Sequence, residues 1–491
     1  MQDTMSLPPV ESAWEPLPAS AWDAGAARHL LQRIGFSATD AAVREALAAP
    51  LDASLKRAFT PSPPLAETPS MEKLRTLLES LQGVDAAHRR TRRDEVRDLE
   101  RAGYEEFGIA WLERASAPVH SAWEKYVLFL QDVFVVAFSK VRNPVLLHRH
   151  QQTLRAGGAG SYSDLCKAVV RSPAMILYLD LQTSKAGAAN ENFARELFEL
   201  FTLGEGAYTE SDIKEAARAF TGWGVRDGES VFRRRAWDAG PKTVFGRTGA
   251  WTGDDIVDLV FERPAAATFL PRELVRFYLT DRAVDESYLE ALGALWRESG
   301  YDLQTLLVRF FGSRFFFSPE FRGDQITSPT QFLLGMLQDL ELDVAPFPRV
   351  TLGALRQMGQ PFFNPPNVRG WLGGRHWINS ATLAARRQLV DTLCTPLDKA
   401  RLNGDELAAL ERAQAADKAN VTVADPLAVL RRISAEDGAV LGRLATVAGT
   451  CLDSDARARF GAGADGGSDA DARRARLVLA AVLASPRYQL C

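Results

Sequence analysis

The chain has 491 residues, of which 46% are hydrophobic and 24% charged, and its formal net charge is -4. That length allows two or three cores, since single cores stop growing at about 250–300 residues. The slight acidity removes any general pull toward nucleic acid or anionic membranes, and no apolar run approaches the roughly 20 residues of a membrane span.

Residues 1–23 read as a flexible N-terminal arm, rich in proline and poor in periodicity. They show no basic and apolar leader, so the cytoplasm is the default compartment, with export beside a partner left open. A helical hairpin is expected over Ala24–Ile34 and 37–47, with Ser37 and Asp40 spaced as a capping box. Residues 61–69 are a linker or loop. From 71 to 115 the pattern is helical and highly charged, and HRRTRRDEVRDLER (88–101) interleaves acids with arginines at ion-pair spacing. That interleaving favours a solvated helix over a nucleic-acid patch.

An apolar helix over 118–138 is expected at the centre of the core, followed by helices at 143–155 and 162–171. A helix opens after Asn190 and stops near Gly204, and Thr209 with Asp212 forms a capping box for the next one. Residues 224–250 are short, β-prone and rich in glycine and arginine, which suits one hairpin plus a loop. Helices resume at 254–261, 265–279, 286–299, Leu303–Phe311 and 329–342, and a turn-rich insert (362–379) precedes one at 380–393. The C-terminal extension, 394–491, reads as helices with a flexible loop at 461–471. The expected fold is mainly α: a helical core over 24–393, one small β insert and this extension.

The chemistry-bearing residues are sparse. The four cysteines are too scattered for a zinc motif or a disulfide framework. Among the six histidines, His148 and His150 point about 200° apart on a helix, so they cannot share a metal. On the helix after Asn190, Glu191, Arg195 and Glu199 are spaced as an i,i+4 ladder, and Glu196 looks toward whatever faces the helix. A surface ladder is the commoner outcome; the functional reading makes Glu196 or Glu199 a cleft carboxylate. Asp238 and Lys242 sit on a turn, where a turn-forming Asp and a surface Lys are the plain reading. The run PPNVRGW (365–371) looks like an Ω-type loop pinned by Trp371 and Trp377.

Several motifs in register resemble the bacterial family called domain of unknown function 1800. They are ARHLLQRIGF (27–36), RSPAMILYLD (171–180), NENFARELFELFTLG (190–204), AFTGW (219–223), GPKTVFG (240–246), NPPNVRGW (364–371) and WINSATLAARR (377–387), with the central signature spanning 171–246. The tail resembles the family only weakly, through ASPRYQL. The resemblance implies a Trp-His-x-His-Phe motif where this chain reads FLQDVF (129–134), and His-Asp at 237–238. Gln131, Val133 and Trp237 stand at the positions of the three imidazoles. The resemblance therefore implies a degenerate-site binding or scaffold protein, with a sulfatase-like companion as its partner. The alternative is a hydrolase-type enzyme using Glu196, Glu199, Asp238 and Lys242. Asp132, Glu196 and Asp238 would then be candidate ligands for a hard divalent metal such as Mg²⁺ or Ca²⁺. The three substituted residues are expected to cluster near the acidic helix. No oligomeric state follows from the sequence.

Overall fold

The apolar run after Pro118 forms the helix Pro118–Val133, and every residue from Ser121 to Val133 is buried. A helix buried on every side has no face to give to water, so other helices must surround it. Those from Ala24–Ile34, Leu51–Ala58, Arg93–Ser116 and Pro144–Gly157 do so. The helix stops earlier than the apolar run, because Phe134 leaves helical geometry and Val135, Val136 and Ala137 continue as buried extended chain.

The computed structural model describes residues 7–344, 350–415, 422–423, 425–434, 443–451 and 469–491. The fold is mainly α. Two antiparallel hairpins, Trp223–Arg226 with Glu229–Phe232 and Lys242–Val244 with Arg247–Gly249, occupy the expected β insert. The insert thus holds a second hairpin where a loop was expected, with a tight turn at Phe245 and Gly246, both at positive φ. Among the described residues, no helix is long and apolar enough to cross a membrane.

Local signals place many boundaries. Leu303–Phe311 forms as expected, and Thr209 and Asp212 make the reciprocal capping box. Ser37 does not cap its helix. Thr39 accepts from Ala42 N–H instead, and the Ser37 hydroxyl donates to buried Asp339. The charged stretch breaks into Pro69–Ser80, Ala86–Thr91 and Arg93–Ser116, and three of its exposed arginines pair locally: Arg92 with Glu95 at 3.0 Å, Arg97 with Asp94 at 3.4 Å and Arg101 with Asp98 at 3.3 Å. All four cysteines are free; Cys166, Cys394 and Cys491 are buried and Cys451 is exposed.

Both ends of the described chain lie on the core. Of the N-terminal arm, residues 1–6 lie outside the described residues. Trp14 is buried and donates through Nε1 to the Tyr288 carbonyl at 2.8 Å, while Phe315 N–H donates to Ala13 O at 2.9 Å. Most of the loop expected at 461–471 falls outside the described residues, and Asp469–Leu483 is helix. The tail forms a bridge between Leu490 and Ile326, and Thr327 N–H donates to Gln489 O at 2.9 Å. Arg386 holds both segments, donating to Thr327 O at 2.7 Å and Gln489 Oε1 at 2.8 Å.

Tyr488 anchors this tail: its hydroxyl donates to Asp339, and the Arg443 guanidinium lies 4.4 Å from its ring centroid. Burial pushes the Asp339 carboxyl up, and the bonds from Ser37 and Tyr488 oppose that shift. Tyr488→Phe keeps the packing and removes one of two hydroxyl donors to a buried carboxyl. It should cost about 1–3 kcal/mol in urea denaturation, whereas Tyr488→Phe at wild-type stability would show that the donor adds nothing.

Candidate functional site

The signature helix changes its winding at its centre. Asn192–Glu196 is α-helical and Leu197–Thr202 is a π-helix, closed by Leu203 N–H donating to Phe198 O at 2.8 Å. Gly204, at φ +79, ends it in the left-handed conformation that glycine adopts at least cost. Single π turns inside helices are rare and often lie at functional sites. Here the extra residue turns Glu199 away from Arg195, so the expected three-member ladder is only half formed. Arg195 bonds Glu191 at 3.3 Å and then reaches Glu210 through two bonds of 2.8 Å.

Glu199 faces the loop 364–371 instead. Arg369 donates to its Oε1 at 2.5 Å and to Glu205 Oε1 at 2.7 Å, and Tyr208 donates to Glu199 Oε2 at 3.0 Å. Glu196, one residue before the π turn, is half-buried and has no hydrogen-bond partner among the described residues. Burial raises its pKa, Glu199 adds to the rise, and Arg369 and Arg195 oppose it.

Two residues further on, the same loop is tied to Asp132. The buried Asp132 accepts from Trp371 N–H at 2.9 Å and from Arg276 at 3.3 Å, and Arg276 also donates to Trp371 O at 3.1 Å. Glu273 completes the group, 2.7 Å from Arg276. Burial pushes the Asp132 carboxyl up to about 6 despite Arg276. Gly370 makes the approach possible. Its φ is +76, and a Cβ there would stand 2.3 Å from Asp132 Oδ1. A cavity of about 40 Å³ lies alongside, lined by Asp132, Arg276, Lys125 and Trp371 among others. Trp371 Nε1 is buried without a partner among the described residues. The loop therefore joins Asp132 to the Glu196–Glu199 helix.

Asp132→Ala would leave Arg276 and the Trp371 N–H short of an acceptor in a buried place. A loss of about 3 kcal/mol is expected in urea denaturation, with faster tryptic cleavage after Arg369 as the loop loosens. A variant that matches wild type in both would remove Asp132 as the anchor.

Asp238 and Lys242 form a separate structure. Arg218 grips Asp238 with Nε at 2.8 Å and Nη2 at 3.1 Å, and Gly240 N–H donates at 2.9 Å. Those hydrogen bonds from Arg218 hold the carboxyl below its ordinary value. Lys242 is not the surface lysine expected of a turn: it is fully buried, and its ammonium donates to Asp238 O at 2.7 Å and Gly240 O at 2.9 Å. Its Nζ lies 5.1 Å from the Trp237 ring centroid, and burial lowers its pKa. Trp237 is half-buried and donates through Nε1 to Ala219 O at 3.3 Å. The turn acts as a clamp that fastens the second hairpin to the helix Glu210–Ala219.

Gln131 and Val133 are both buried, and the next residue, Phe134, packs its ring tilted against Phe201 of the π turn, 5.3 Å between centroids. Gln131 Nε2 has no hydrogen-bond partner among the described residues. Trp237 makes its hydrogen bond and ring contacts with Ala219, Phe232 and Lys242, and none joins it to Gln131. Among the described residues, no hydrogen bond joins Glu196 or Glu199 to Asp238 or Lys242, and no three His, Cys, Asp or Glu residues are grouped so as to hold a metal. Three histidines bond backbone carbonyls: His29 that of Phe316 at 3.0 Å, His148 that of Leu65 at 2.8 Å, and His150 that of Phe134, with Ser172 on its other nitrogen.

Arg369, Arg276 and Arg218 organise these groups, and sequence reading missed all three. Only Arg369 carried a signal, as the basic residue inside a stiff Pro-Pro and Gly-Trp loop. The family model described as Protein of unknown function (DUF1800) covers residues 29–490, crossing the boundary expected near 394. No curated protein and no solved structure matches the chain.

Proposed function

Because the chain belongs to the DUF1800 family, whose function is unknown, we propose its role from the geometry around the π turn. The protein is a degenerate-site binding or scaffold protein that acts with a sulfatase-like companion. One observation carries this reading: three of the four candidate catalytic side chains are already consumed by the fold. Glu199 is held by Arg369 and Tyr208, Asp238 by Arg218, and the Lys242 ammonium by two carbonyls. A general acid or base must be free to reach the proton it moves. The substitutions point the same way, since Val133 cannot carry a proton and Trp237 offers only a donor.

A divalent ion is harder to fit. Mg²⁺ or Ca²⁺ wants about six oxygen ligands. At Asp132 it would have to displace Arg276 and the Trp371 N–H, and at Asp238 it would have to displace Arg218. The hydrolase reading keeps one supporting observation. Glu196 is the candidate carboxyl with a raised pKa and no hydrogen-bond partner among the described residues. Such a group suits acid–base work.

The experiment assays chromogenic ester, phosphate and sulfate substrates with wild type and Glu196→Gln, and measures metal content after dialysis without chelator. The companion is co-expressed and followed by size-exclusion chromatography. Expected are no turnover, no stoichiometric metal and co-elution with the companion, with Glu196→Gln within about 0.5 kcal/mol of wild-type stability. Turnover that Glu196→Gln abolishes in a folded protein, or one metal per chain, would install the hydrolase reading instead.

A further inference from the structure

The turn that follows the first hairpin carries charge that the site above does not use. Strand Glu229–Phe232 runs on through Arg233, Arg234 and Arg235 to Trp237. Backbone bonds fix this turn against its neighbours. Ala186 N–H donates to Ala236 O at 2.8 Å, Arg233 N–H to Gly222 O at 2.8 Å, and Gly222 N–H to Ser184 O at 3.2 Å. The first of these sets Lys185 on a turn beside Arg234 and Arg235. Arg233 is spent inward, donating to the carbonyls of Gln182 and Trp223 at 3.1 and 3.2 Å.

The other three cations are exposed, and their side chains have no carboxylate or hydrogen-bond partner among the described residues. Three arginines of the charged stretch differ from them, since Arg92, Arg97 and Arg101 each hold an acid. Next to the unpaired cations Phe232 is 47% exposed, backed by Trp223 at 5.2 Å and Trp237 at 6.3 Å between centroids. Rigid aromatic support under an exposed ring, flanked by unpaired arginines, has the composition of an interface anchor.

We propose that Lys185, Phe232, Arg234 and Arg235 form a docking surface for an acidic segment of a partner protein. This deepens the binding-protein reading and rests on it. Charge complementarity selects the partner: three unpaired cations on a chain of net charge -4 attract a short run of carboxylates. A nucleic-acid backbone fits less well. Three cations neutralise few phosphates, which is too little to hold a continuous phosphate chain.

The test titrates the full chain into a fluorescein-labelled oligoglutamate peptide carrying one tyrosine, and into a labelled single-stranded DNA of equal charge. The triple variant Lys185→Glu/Arg234→Glu/Arg235→Glu serves as the comparison, with its fold checked by circular dichroism. If it misfolds, Arg234→Gln/Arg235→Gln replaces it. Peptide binding that weakens about tenfold or more in the variant, falls with salt and exceeds DNA binding is the expected result. No peptide binding, affinity unchanged by charge reversal, or tighter binding of DNA would overturn the proposal. So would wild-type dimerisation that the variant abolishes, which assigns the patch to a second copy. Companion co-elution that survives charge reversal would sink this surface and leave the binding-protein reading standing, whereas a wild type that never co-elutes would sink the reading itself.

Discussion

Glu124→Ala should cost about 3–5 kcal/mol of stability, because it strands a buried guanidinium. Arg155 meets Glu124 through two bonds, Nη1 to Oε1 at 2.8 Å and Nη2 to Oε2 at 2.7 Å, with side-chain exposures of 3% and 0%. Ser62 joins them, donating to Glu124 Oε1 at 2.8 Å and accepting from Arg155 Nη1 at 3.0 Å. The pair therefore links the central helix, the helix Pro144–Gly157 and the 61–69 loop. Glu124→Gln keeps an acceptor for Arg155 and should cost less. Replacing both residues by methionine should recover much of the loss, since a packed apolar pair often equals a buried ion pair. Urea denaturation of the four proteins measures this. A double variant no more stable than Glu124→Ala would mean that the ion pair holds an arrangement apolar packing cannot supply.

That triad also shows where sequence reading stops. Helices such as Leu303–Phe311 and the capping box at Thr209 were legible because their causes lie within a few residues. Ser37 carries the same local signal and fails, because Asp339 competes for its hydroxyl from 302 residues away. No spacing rule marks Glu124 for Arg155, or Asp132 for a backbone N–H 239 residues later. The π turn is a similar case. Glu191, Arg195 and Glu199 are spaced for an α-helical ladder, and only the wider winding sends Glu199 to Arg369. The candidate positions on the signature helix were therefore readable as an acidic surface, while the arginine that holds Glu199 was not. Lys242 failed for a related reason. Turn chemistry predicts exposure, yet two carbonyls of its own turn and the Trp237 ring provide a buried seat for an ammonium.

Acid should destabilise the protein through His150 between about pH 6.5 and 4. The ring is fully buried. Nε2–H donates to the Phe134 carbonyl at 3.1 Å, and Nδ1 accepts from the Ser172 hydroxyl at 3.0 Å, so the neutral form satisfies both partners. Desolvation pulls its pKa down to about 4, against the upward pull of the Phe134 carbonyl. In the unfolded chain the ring protonates near 6.5, so below that pH the unfolded state binds the proton first. The stabilisation is complete above about pH 6.5 and is lost as pH falls toward 4, amounting to about 3 kcal/mol by linkage. His29, whose pKa burial also lowers, acts in the same direction. Asp132 acts oppositely, because its raised pKa favours proton uptake by the folded state. His150→Gln keeps a donor and an acceptor without titrating, so comparing it with wild type cancels the other groups. Between pH 7.5 and 5 the variant should lose about 2 kcal/mol less than wild type. Parallel losses would show that the ring takes up its proton as readily in the fold as in the unfolded chain, so that at pH 5 the Phe134 carbonyl, at the end of the helix beside the π turn, holds an imidazolium.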